Sequence, residues 1–135
     1  MRRLFEVEWG RDLSSEPGLR IPNMFDGALE GSFRALFIQG EDIAQSDPNT
    51  LHVKSALAAL DLCVVQDLFL NQSAEFAHVF LPGTSFLEKD GTFTNAERRI
   101  NRVRPVVPAA QGKQEWEVVC EIATAMSSCW IRSSI

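Results

Sequence analysis

The chain has 135 residues, 45% hydrophobic and 23% charged, which is enough for one globular domain with a core and too few for two. Thirteen Lys and Arg against eighteen Asp and Glu give a formal net charge of −5, the wrong sign for phosphate neutralisation, so no nucleic-acid partner is expected. No apolar run approaches the ~20 residues that cross a bilayer, and acids interrupt the start Met1-Arg-Arg-Leu-Phe-Glu-Val-Glu8 before a signal sequence could form, so no membrane partner is expected either.

Residues 1–20 carry no sustained period, and Gly10, Ser14, Ser15, Pro17 and Gly18 give the segment a loop-like, irregular character. The domain proper is expected over 21–126. A short helix opens it at Ile21, with Pro22 in the first turn and Gly31 just past the end. Ala35–Gln39 is an apolar run closed by Gly40 and reads as a buried strand. After the loop 40–47, Asp47 is placed to cap a helix opened by Pro48, whose inward stripe is Val53, Ala56, Leu57 and Leu60. Leu62–Gln66 is a second buried run, so strand, helix and strand predict a crossover with parallel strands. A helical turn at 73–76 precedes a third strand, His78–Leu81, stopped by Pro82-Gly83. Residues 84–107 read as loops and short antiparallel strands, and Gln114–Met126 as a last amphipathic helix with Val118, Val119, Ile122, Ala123 and Met126 inward. Residues 127–135 form an unpatterned tail. The fold class is α/β: a three-layer αβα, Rossmann-like domain with a mostly parallel sheet.

Ligands of open parallel sheets bind outside the carboxyl ends of the strands. Two loops qualify: Gly40-Glu41-Asp42 after the first strand and Gln66-Asp67 after the second. If the strands pair, these loops lie about one strand spacing, ~5 Å, apart. Gly40 permits close backbone approach, and the amides at Asn49 and Thr50 offer partial positive charge to a phosphate. The carboxylates of Asp42 and Asp67 could each accept two hydrogen bonds, as from a guanine edge or a ribose diol. These features describe a nucleotide crevice. Equally, a Gly after a strand is often only a turn, Asp67 is suited to capping one, and neither a GxGxxG nor a GxxxxGK[ST] motif is present.

Other chemistry is weaker. Cys63, Cys120 and Cys129 match no CxxC or metal knuckle, which points to a reducing, cytoplasmic compartment, two of the thiols packed as small apolar groups. His52 falls on a solvated helix face, and His78 suits a satisfied structural role. Thr84 and Ser85 lack a nucleophile elbow. Arg98, Arg99, Arg102 and Arg104 put four guanidiniums in seven residues, which suits either an anion grip or a solvated or interface face.

Four segments carry more than spacing: Ala35-Leu-Phe-Ile-Gln-Gly-Glu-Asp-Ile-Ala-Gln-Ser-Asp-Pro-Asn49, Val64-Val-Gln-Asp-Leu-Phe-Leu-Asn71, Phe76-Ala-His-Val-Phe-Leu-Pro82 and Glu88-Lys-Asp-Gly-Thr-Phe-Thr-Asn-Ala-Glu-Arg-Arg99. In this order they resemble the molybdopterin oxidoreductase family, nearest to the catalytic α subunits of NAD-dependent, molybdenum-containing formate dehydrogenases. The likeness runs from about Phe5 to about Met126.

The resemblance implies a domain that binds one of two molybdopterin guanine dinucleotides around a Mo or W ion. By motif match, Gly40, Glu41 and Asp42 would approach the nucleotide portion of the cofactor. Gln66 and Asp67 would contact its guanosine, and Lys89 would reach it from a neighbouring loop. Glu115 stands where relatives often carry a cofactor-contacting Asp. The family's metal ligand with its His and Arg partners, its iron–sulfur cysteines and its last domain have no match here, so no catalytic residue, metal ligand or iron–sulfur cluster is expected in this chain. The expectation is an inactive fragment of a formate dehydrogenase catalytic subunit. Its partners would be the remainder of that subunit, which would oxidise formate to carbon dioxide, and the electron-transfer subunits. A free-standing nucleotide- or cofactor-binding module, and an assembly domain docking through Arg98 to Arg104, are the alternatives.

Overall fold

The computed structural model describes residues 2–126. Helix α1 (Arg2–Trp9) leads to α2 (Ile21–Leu29), strand β1 (Ala35–Gln39), a single turn α3 (Ile43–Ser46), α4 (Thr50–Ala59) and β2 (Leu62–Asp67). A 3-10 turn (Ser73–Phe76), β3 (Val79–Pro82), the hairpin β4 (Gly91–Thr94) and β5 (Ile100–Val103), and α5 (Glu115–Ala125) complete it. Strands β1, β2 and β3 form one parallel sheet in that order, and β4 and β5 a separate antiparallel pair. This is the expected α/β class. None of these helices is long and apolar enough to cross a membrane.

Register decides which side chains meet. Leu36 lies opposite Cys63 and Ile38 opposite Val65, so alternate residues of β1 and β2 share one face. That face packs on Phe25 and Ala28 of α2 and on Val53, Ala56, Leu57 and Leu60 of α4 and its end, all buried. Each large apolar side chain buried there stabilises the fold by ~1.5–3 kcal/mol. The other face carries Phe37, Val64, Gln39 and Gln66, and α5 lies on that side: Phe37 shares an apolar hollow with Val119, Ile122, Ala123 and Met126.

Several expectations are corrected. The irregular segment 1–20 contains a helix, because Arg2 pairs with Glu6 at 3.2 Å and the rings of Phe5 and Trp9 meet at 4.9 Å, both at i,i+4 spacing. Helix α4 begins two residues later than Pro48, after the intervening turn α3, and its N-cap is Asn49, whose side chain accepts the His52 N–H. Asp47 instead accepts the Asn49 N–H at 2.8 Å, so that amide is not available to a phosphate. Strand β1 is an edge strand in which Ile38 alone is buried. The apolar stripe of α5 borders the sheet at Phe37, yet no residue of that helix is fully buried, and Val119 and Met126, expected inward, are exposed. The tail 127–135, with Cys129, lies outside the described residues.

Candidate functional site

The two turns that the sequence singles out lie side by side. The Gly40 N–H donates to the Gln66 carbonyl at 2.9 Å, extending the β1–β2 ladder one residue beyond β1. Gly40 has φ +64, a left-handed conformation that favours glycine, and a Cβ there would meet only open space. A cleft of about 630 Å³ opens at this carboxyl edge. Gln39 and Gly40 form its sheet side, Lys89 to Phe93 a second wall, and Gln114, Glu115, Trp116, Val119 and Cys120 a third.

Glu115 organises the middle of the cleft. One carboxylate oxygen accepts the Thr84 N–H at 3.0 Å and lies 2.6 Å from the Lys89 ammonium, and the other accepts the Thr84 hydroxyl. Burial pushes the Glu115 carboxyl up. The Lys89 and Thr84 hydrogen bonds outweigh it and hold the group below its ordinary value. Since Thr84 is fully buried, Glu115 fixes the loop after β3 as well as the cation. Helix α5 is set by a capping box between Gln114 and Glu117, and the Gln114 side chain also accepts the Asp90 N–H, tying helix to wall.

Gln66 lies on the same face as Gln39, at the last rung of the register. The Gln39 Nε2 donates to the Gln66 Oε1 at 3.0 Å. Gln66 is 1% exposed, and its own Nε2 is buried without a hydrogen-bond partner among the described residues, a condition that costs ~1–3 kcal/mol.

Of the seven residues named from the sequence, Gly40, Lys89 and Glu115 therefore line one cleft, and Gln66 is hydrogen-bonded to Gln39 of its sheet side. The other three carboxylates are engaged within the chain. Glu41 accepts the Ser46 hydroxyl. Asp42 accepts the N–H and hydroxyl of Ser73 and the N–H of Gln72, and it lines a second depression of about 560 Å³ with Gln45 and Glu75. Burial pushes Asp42 up, and these hydrogen bonds bring it below the usual carboxylate range. Asp67 closes its own loop, accepting the Leu68 N–H at 2.6 Å and an Asn71 side-chain N–H at 2.9 Å. The carboxylates of Asp42 and Asp67, expected to accept from a guanine edge or a ribose diol, thus each also accept hydrogen bonds from groups of the chain itself.

Gln39, Thr84 and Trp116 enter the site without having been anticipated as parts of it. Two glutamines close to the carboxyl ends of two parallel strands were the available signal for Gln39. His78 takes the structural role expected: its Nδ1 accepts the Cys63 N–H at 3.0 Å and its N–H donates to the Cys63 carbonyl. Cys63 is buried as expected, and burial pushes its thiol up, whereas Cys120 is half-buried at the cleft. His52, expected in solvent, lies 3.1 Å from Asp26. In the hairpin, Arg102 pairs with Asp90 and Arg99 with Glu97.

A family model described as molybdopterin oxidoreductase matches residues 4–125. The chain is 40% identical over 132 residues to the "Probable oxidoreductase YjgC" of Bacillus subtilis, covering 97% of this chain and 13% of that protein. It is 43% identical over 122 residues to the F420-dependent formate dehydrogenase subunit alpha of Methanocaldococcus jannaschii, covering 90% of this chain and 18% of that one. Among solved structures, acetylene hydratase from Pelobacter acetylenicus superposes with a TM-score of 0.70 at 25% identity, over 78% of this chain and 15% of that enzyme. The chain thus spans less than a fifth of the length of these relatives.

Proposed function

The chain belongs to the molybdopterin oxidoreductase family, and from that premise we propose that it holds one guanine dinucleotide of a bis-molybdopterin cofactor as part of a formate dehydrogenase catalytic subunit. The observation that carries this reading is the cleft at the carboxyl edge of the parallel sheet, where Gly40, Lys89 and Glu115 converge beside Gln66. That edge is where open α/β sheets bind nucleotides.

The residues present suit such a group. The open space over Gly40 admits close backbone approach, and the unmet Gln66 Nε2 needs an acceptor oxygen. Lys89 supplies a cation for phosphate oxygens, held in place by Glu115. When bound, the cofactor's Mo or W centre would supply the two-electron chemistry of formate oxidation. This chain's own residues bind and orient. Glu115 sets Thr84 and Lys89, Asp42 and Asp67 brace the two turns, and none is asked to move a proton. The metal ligands, the electron-transfer subunits and a cytoplasmic location belong to the larger assembly in this reading.

Calorimetric titration of the chain with GDP tests it. Binding in the micromolar to millimolar range, weakened about tenfold (1.4 kcal/mol) by Lys89→Ala, is expected. Absence of heat at millimolar GDP, or equal affinity in the Lys89→Ala variant, would remove the reading.

A further inference from the structure

A carboxamide is two-ended, one end accepting and the other donating, so whichever end a neighbour ties down decides which end is left for a ligand. The β1–β2 register sets Gln39 directly opposite Gln66, and Gln39 Nε2 ties down the Gln66 Oε1 at 3.0 Å. What remains is a donor, the Gln66 Nε2, buried and without an acceptor among the described residues. Gln39 itself is exposed on the cleft, so the pair runs from the sheet to the cavity.

We infer that Gln39 is a positioning residue: by holding the Gln66 carboxamide in one orientation it makes this end of the cleft select an acceptor oxygen of the bound group. The inference rests on the nucleotide-binding reading above and deepens it. Acceptor oxygens occur both on the lactam edge of guanine and on a diphosphate, and the experiment separates these sources.

The chain and its Gln39→Glu and Gln39→Met variants are titrated with GDP and, separately, with inorganic pyrophosphate. Glutamate has the same shape but cannot donate, so the Gln66 amide turns end for end to donate to it, and the free donor is lost. Gln39→Glu is expected to weaken GDP about tenfold, and to do so still at 1 M salt, where charge repulsion is screened within ~3 Å. Gln39→Met, neutral and of similar length, leaves the Gln66 amide unfixed and is expected to give a smaller loss of the same sign. Loss confined to GDP identifies the guanine edge, and loss shared by pyrophosphate identifies the diphosphate. Side-chain amide resonances give a readout that needs no ligand. In the unsubstituted chain one Gln39 NH2 proton is expected to be hydrogen-bonded and those of Gln66 are not, and in Gln39→Glu the Gln66 NH2 is expected to become hydrogen-bonded. If the chain binds GDP and both variants bind it equally well, or if the Gln66 NH2 is already hydrogen-bonded in the unsubstituted chain, the inference falls and the nucleotide reading survives. If the unsubstituted chain takes neither ligand, both fall.

Discussion

Asp42 Oδ1 accepts both the backbone N–H of Ser73 at 2.9 Å and its hydroxyl at 2.7 Å, across a separation of 31 positions. Ser73 is fully buried, and its oxygen in turn accepts the Ala44 N–H at 3.0 Å. The loop after β1 and the turn after β2 are thereby locked together, which keeps Gly40 and Gln66 in register at the site.

Replacing Asp42 with Ala leaves the buried Ser73 hydroxyl and N–H without their acceptor. A loss of ~1–3 kcal/mol is expected, read as a melting midpoint lower by roughly 5–10 °C. Nucleotide affinity, measured where both proteins are folded, should stay near that of the unsubstituted chain. A large loss of affinity at unchanged stability would return Asp42 to the role of direct ligand.

Acid should unfold the chain through a small set of carboxylates. Asp42 and Glu115 are each pushed up by burial and brought below their ordinary values by their hydrogen bonds. The Ala110 N–H and then Ser85 lower Glu88. Groups depressed in the folded state contribute stability that is fully present above the ordinary carboxylate values of about 4 and is lost as pH falls through the folded values. Denaturant midpoints should therefore hold steady from pH 7 to about 5 and drop below that. In Glu115→Gln the drop should be shallower, and an unchanged slope would contradict the assignment.

Gly83 is required for space rather than for conformation. A Cβ there would lie 3.0 Å from the Asp67 carbonyl carbon and 3.2 Å from its oxygen and from the Leu68 nitrogen, all backbone atoms that cannot yield as a side-chain tip does. Gly83→Ala is expected to cost ~1–3 kcal/mol in urea unfolding. Gly18→Ala, where a Cβ meets nothing within 4 Å, should change stability by less than about 0.5 kcal/mol. Equal effects at the two positions would refute the steric account.

Where apolar runs were punctuated by Gly or Pro, the architecture was legible: β1 and β2 and the α4 stripe fall where periodicity and breakers put them, and α2 ends before Gly31 as expected. Helix α1 was not, because eight residues with two stabilising pairs give too weak a period to separate from a loop. The site divides in the same way. That the turns at Gly40 and Gln66 would adjoin followed from strand pairing alone. That Asp42 would be engaged by Ser73 and Gln72 did not, because a carboxylate's partner across 31 positions leaves no mark on local spacing. Gln39 was hidden for a related reason: its role is set by what lies opposite it in the register.

Under the proposed function, the cleft beside Gly40, rather than the depression beside Asp42, receives the nucleotide. Backbone amide shifts recorded during a GDP titration of the labelled chain test this directly. Concentration-dependent shifts concentrated at Gly40, Lys89, Gly91 and Glu115 are expected, with Gln45, Gln72 and Glu75 unmoved. Shifts concentrated at Gln45, Gln72 and Glu75, or none at millimolar GDP, would contradict it.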